Sequence, residues 1–134
     1  MTAIITYQGD LRTEMVHIQS NNIIHTDAPK DNHGKGEAFS PTDLVAAALG
    51  SCMVSIMGIY ARQHDLNIDG TRVEILKGMA ANPRRISKIE AVIKMPQDKS
   101  YTEKQRKALE HAALTCPVSK SLHADLVQDI QFVW

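Results

Sequence analysis

Between Leu44 and Ala61 the chain runs 18 residues without a charge, and apolar side chains recur all round a helical projection. This pattern predicts one long central helix, buried on every side. Ser40 suits its N-cap, Pro41 its first helical position, and Asp43 closes an S-x-x-D capping box. Arg62 and His64 favour its negative end, near Gln63 to Leu66. A run of this length also reaches the lower limit for a membrane span. It is diluted, however, by four alanines, Gly50, Gly58, Ser51, Ser55 and Cys52, and it is the single run of its kind, so a buried core helix is expected.

The flanking segments change period from helix to strand. Ile4–Tyr7 and Leu11–Ile18 read as a hairpin about Gly9-Asp10, and Ile23–Thr26 as a third short strand after Asn21-Asn22. Asp27 to Phe39, rich in Gly, Asp, Asn, Lys and Pro, reads as an exposed loop. Past the helix, Thr71–Ile75 alternates, and Asn82 to Arg85 make a turn. Ile89, Ala91, Ile93 and Met95 then share one face, so the two strands pair antiparallel. Ser100-x-x-Glu103 is a second capping box, opening a helix to about Thr115 whose apolar stripe is Leu109, Ala112, Ala113. Cys116 is the next position on that stripe, and Pro117 starts a new turn. Ile130, Phe132 and Trp134 alternate in a last strand. The order β-β-β-α-β-β-α-α-β predicts the α+β class in a single domain, residues 1–134.

Composition removes several partner classes. Fifteen basic residues balance fifteen acidic ones, leaving no global field for nucleic acid or an anionic membrane. Sparse aromatics argue against base-stacking platforms. Met1–Ile5 has no basic region followed by a signal-length apolar stretch, so a cytoplasmic location is expected, where two cysteines need not form a permanent staple. The six histidines show no H-x-x-H or H-x-x-x-H spacing, and there is no C-x-x-C, Walker loop or G-x-G-x-x-G, so neither metal nor cofactor is expected.

Chemistry then centres on Cys52 and Cys116. Cys116, just before Pro117, sits where an N-cap falls, and backbone N–H groups there favour a thiolate. Cys52 is mid-helix and needs a nearby cation to be activated. On spacing alone the pair is more readily read as two small buried hydrophobes.

Ser40-Pro41-Thr42-Asp43-Leu44-Val45-Ala46-Ala47-Ala48-Leu49-Gly50-Ser51-Cys52 resembles the first cysteine motif of the OsmC/Ohr proteins, the osmotically inducible protein C and organic hydroperoxide resistance family. Cys116-Pro117-Val118-Ser119-Lys120 resembles their second, and the two cysteines stand 64 positions apart, as in the family. The resemblance implies an OsmC-like fold, with antiparallel sheets around the central helix, in an intertwined homodimer. It also implies a thiol peroxidase acting on organic hydroperoxides in oxidative-stress defence. Cys52 would become a sulfenic acid and condense with Cys116. A dithiol reductant, of the lipoyl type, would reopen the disulfide.

Catalytic members carry a Glu after the helix-start Pro, where it orients an Arg over the thiolate; here Thr42 holds that place and Asp43 follows, ~100° further round the helix. Arg12 is the single Arg of the N-terminal strands and the candidate cation, with Lys35 in reserve; Asp43 and Glu37 are the candidate acids. The competing expectation is a non-catalytic dimer of the same family that binds a small apolar molecule.

Overall fold

The computed structural model describes all residues, Met1 to Trp134, as two compact units, Met1–Val45 and Ala46–Trp134. The smaller unit is an antiparallel meander of β1 (Ala3–Gly9), β2 (Arg12–His17) and β3 (Ile23–Asp27), in that spatial order. Its first turn is tight because Gly9, Asp10 and Leu11 all take positive φ (89°, 48° and 60°). In the second, Asn21 adopts the left-handed conformation that Asn tolerates. Register pairs Arg12 with Asp27 across β2 and β3, so Asp27, expected to open the loop, instead ends a strand.

The loop that follows folds on itself. A short 3-10 turn covers Lys30–Asn32, and the N–H groups of Gly34 and Gly36 donate to the carbonyls of Pro29 and Ala28. A Cβ on Gly34 would stand 1.7 Å from the Ala28 carbonyl oxygen, so only glycine fits there. The loop leads into α1 (Pro41–Gln63) through the expected capping box: Ser40 N–H donates to Asp43 Oδ2 (2.8 Å) and Asp43 N–H to Ser40 Oγ (3.1 Å).

In the larger unit β4 (Arg72–Ala81), β5 (Arg84–Lys94) and β6 (Val127–Val133) form a sheet in that order. β4 and β5 pair antiparallel as expected, but β6 runs parallel to β5, so this sheet is mixed where antiparallel pairing was expected throughout. The chain reaches β6 through α2 (Glu103–Leu114) and α3 (Pro117–Ser121), the length of crossover that a parallel pairing needs. α2 starts two residues later than the Ser100/Glu103 box implies: the reciprocal cap is Thr102 with Gln105.

The core gathers Leu49, Met53 and Met57 of α1, Ile89 and Ile93 of β5, Leu109 and Ala113 of α2, and Cys116. α1 closes with the Leu66 N–H on the Ala61 carbonyl and Asp65 at φ 53°, the six-to-one bond of a Schellman end. By length and composition α1 could cross a membrane, yet it is the core helix of this unit. It is not covered all round by its own chain. The buried stripe is Ala46, Leu49, Gly50, Met53, Met57 and Ala61, while Ser51, Ser55 and Ile59 (55% exposed) face outward. Val45 and Ile59 are the large apolar side chains of this helix left exposed.

The buried Ser40 cap is expected to matter to stability. Ser40→Ala should lower it by about 1 kcal/mol, measured as a reduced urea midpoint with unchanged slope.

Candidate functional site

The larger unit brings the two thiols together. Cys52 lies one helical step before the buried Met53 and is half-buried, while Cys116 is fully buried against the core beside Leu109 and Ala113. Both thiols are free, and Cys52 lies near enough to Cys116 to influence its ionisation. Cys116 is the N-cap of α3, its sulfur accepting from the Ser119 N–H at 3.4 Å, as its place before Pro117 predicts. The expected thiolate does not follow. Burial pushes the Cys116 thiol up, the nearness of Cys52 adds to the rise, and the Ser119 N–H opposes it without prevailing. Cys116 is therefore the protonated partner, and Cys52 the one solvent can reach.

Two open grooves flank α1. One, about 340 Å³, is lined by Ile56, Ile59 and Tyr60 of α1 and by Ala108, Ala112 and Thr115 on the α2 side. Ile56 follows Cys52 by one helical turn and Thr115 precedes Cys116, so both walls run towards the thiols. The other, about 370 Å³, lies over Gly50, Ser51 and Ser55 against Val73 and Ile75 of β4.

The smaller unit holds Arg12. Its Nε and Nη2 donate to the two carboxylate oxygens of Asp27 at 2.7 and 2.8 Å, and Nη2 donates a second bond to Glu37 Oε2 at 2.9 Å. Asp27 Oδ2 also accepts the Glu37 N–H at 3.0 Å. Asp27 is 1% exposed, whereas the Glu37 side chain is 66% exposed. Arg12 holds the Asp27 carboxyl at about 2, its hydrogen bond outweighing desolvation, and the guanidinium is correspondingly held more firmly protonated. Lys35, the reserve cation, pairs with Asp10 at 3.3 Å. Of the two expected acids, Glu37 meets Arg12, and Asp43 caps α1 through Ser40. Thr42 contacts the Ser40 hydroxyl at 3.1 Å. Asp27 escaped the sequence reading because it was assigned to the loop; extending β3 by one residue would have set it opposite Arg12.

A family model described as OsmC-like protein matches residues 34–130. The chain belongs to the OsmC-like family. It is 52% identical to a proposed osmotic stress induced and detoxification response protein from Psychrobacter arcticus 273-4, covering 98% of this chain and 95% of that one with a TM-score of 0.94. The fold is shared with an organic hydroperoxide resistance protein OsmC from Legionella pneumophila (16% identity, 100% and 98% covered, TM-score 0.77). It is shared too with an organic hydroperoxide resistance protein from Vibrio cholerae that carries captopril in one of its active sites (18% identity, 99% and 90% covered, TM-score 0.70). No curated protein matches the chain. The OsmC-like fold expected from the two cysteine motifs is thus the fold observed.

Asp27 gives this family member a measurable acid limb. Its folded carboxyl sits at about 2, below the ~3.9 of an unfolded Asp. Its contribution to stability is therefore complete above about pH 4 and is lost as pH falls towards 2. Asp27→Asn should be less stable than wild type at neutral pH, and the difference between their urea midpoints should shrink across that window.

Proposed function

We propose that this OsmC-like protein is a thiol-dependent peroxidase that reduces organic hydroperoxides. The nearness of a half-buried Cys52 to a buried, protonated Cys116 supports the reading. The Cys52 thiolate attacks the outer peroxide oxygen, the O–O bond breaks, and the alkoxide leaves as an alcohol after taking a proton. Cys52 is now a sulfenic acid. Cys116 attacks that sulfur, the S–O bond breaks, and water departs as the disulfide closes. An external dithiol of the lipoyl type then reduces the pair and is itself oxidised.

Arg12 is assigned the role of the cation that favours the Cys52 thiolate, as the family resemblance implies, with Glu37 as its loop partner. Asp43 acts in this reading through the cap that starts α1. The protein works in the cytoplasm as a homodimer, and the outward apolar residues of α1 support the assembly. The mainly apolar groove that begins at Ile56, one helical turn after Cys52, supports an organic rather than an inorganic peroxide. The same groove is the observation that favours the second reading, a non-catalytic dimer that binds a small apolar molecule.

One equivalent of cumene hydroperoxide should convert the reduced protein to an intramolecular Cys52–Cys116 disulfide, read by peptide mass spectrometry. Cys116→Ser should stop at a Cys52 sulfenic acid, and Cys52→Ser should abolish the reaction. Two free thiols after treatment would rule out the peroxidase and leave the binding reading.

A further inference from the structure

Gln128 stands in a row of core-facing positions on β6. Its register partner on β5 is the buried Ile89, and the next two inward residues, Ile130 and Phe132, lie opposite the buried Ala91 and Ile93. Gln128 is the polar member of that row. A polar side chain at an inward strand position breaks the pattern that folds the strand, and such departures concentrate at functional positions.

Its amide is bonded at both ends to one residue. Nε2 donates to the Ser119 carbonyl at 3.1 Å, and Oε1 accepts from the Ser119 hydroxyl at 2.7 Å. A backbone carbonyl can only accept, so the orientation of the amide is fixed and the hydroxyl is the donor. The Ser119 N–H in turn donates to Cys116 Sγ at 3.4 Å. Ser119 is thus held from β6 on one side and holds the thiol on the other.

We propose that Gln128 is a positioning residue for Cys116: it anchors Ser119 so that the Ser119 N–H stays directed at the sulfur that closes the disulfide. This rests on the reading of Cys116 as the thiol that attacks the Cys52 sulfenic acid. In that step the Cys116 proton and the sulfenic hydroxyl leave as water, and the attacking form is the thiolate. Leu109 and Ala113 surround Cys116 with apolar atoms that disfavour a thiolate. The titratable group that acts on it is Cys52, and its influence has the same sign. The N–H groups of Ser119 and Val118 act the other way. α3 has five residues, too few to hold a helical shape unaided, so the direction of the Ser119 N–H depends on what grips Ser119 from outside. Gln128 grips it at two points.

Removing the amide has two consequences of opposite sign. Gln128→Ala takes away both bonds to Ser119 together with the packing of the side chain. If the amide only fastens the fold, Cys116 becomes easier to reach and alkylates faster. If it keeps the N–H on the sulfur, the thiolate fraction falls. Alkylation at neutral pH then slows by about tenfold, as loss of one bond to a charged group implies. Ser119→Ala keeps the carbonyl bond and should slow the reaction less, in the same direction.

The experiment follows iodoacetamide labelling of Cys116 by peptide mass spectrometry in the full-length Cys52→Ser protein, alone and with Gln128→Ala or Ser119→Ala added. A slower rate in both variants, with the larger fall in Gln128→Ala, supports the proposal. A faster or unchanged rate in either, or the reverse order, overturns it. Where Gln128→Ala fails to fold, the sign of the Ser119→Ala change decides. Labelling uses no peroxide, so loss of the peroxidase reading, judged by disulfide formation in wild type, is a separate result.

Discussion

At Gly50 the α1 helix lies so close to β4 that a Cβ would stand 2.9 Å from Ile75 Cδ1 and 3.0 Å from Val73 Cγ1. That approach is the constraint on which the larger unit is built. With the helix this near the sheet, Leu49, Met53 and Met57 share one core with Ile89 and Ile93, and Leu109 and Ala113 of α2 join it. Cys116 follows one turn after Ala112 and is drawn into the same core, against which Cys52 packs. A side chain at Gly50 would have to displace the Ile75 and Val73 side chains that pack there. The helix needs small residues here for its own sheet, before any substrate or second chain is considered.

The smaller unit answers a different constraint. A carboxylate as buried as Asp27 must be both paired and hydrogen-bonded, since an unpaired charge in that position strongly opposes folding. Arg12 supplies the charge and two bonds, and the Glu37 N–H a third. Loop, strand end and guanidinium are consequently one piece of structure, and the loop from Ala28 to Phe39 takes its shape partly from Asp27. The thiol pair depends on burial by apolar neighbours and the guanidinium on burial of an opposite charge.

What could be read in the sequence was mostly what acts over a few residues. The Ser40–Asp43 cap, the tight turn at Gly9-Asp10, the face Ile89-Ala91-Ile93-Met95 and the element order all follow from local chemistry and period. The misses are non-local. Parallel pairing of β6 with β5 depends on how α2 and α3 cross, which alternation in Ile130, Phe132 and Trp134 cannot reveal. The Arg12–Asp27 pair is 15 residues apart and needs the strand register. The thiolate expected at Cys116 assumed that a helix start outweighs burial, and at a fully buried sulfur burial wins. The all-round burial expected of α1 counted apolar residues without asking whether one chain had enough surface to cover them.

The claim that most needs deciding is that apolar surroundings, and not thiol chemistry alone, set what Cys52 reacts with. Competition between cumene hydroperoxide and hydrogen peroxide at equal concentration, with quenched samples scored for Cys52 oxidation, measures this directly. The account predicts faster oxidation by the organic peroxide and a smaller advantage when Ile56→Ser makes the groove wall polar. Equal rates for the two peroxides, or faster oxidation by hydrogen peroxide, would contradict it.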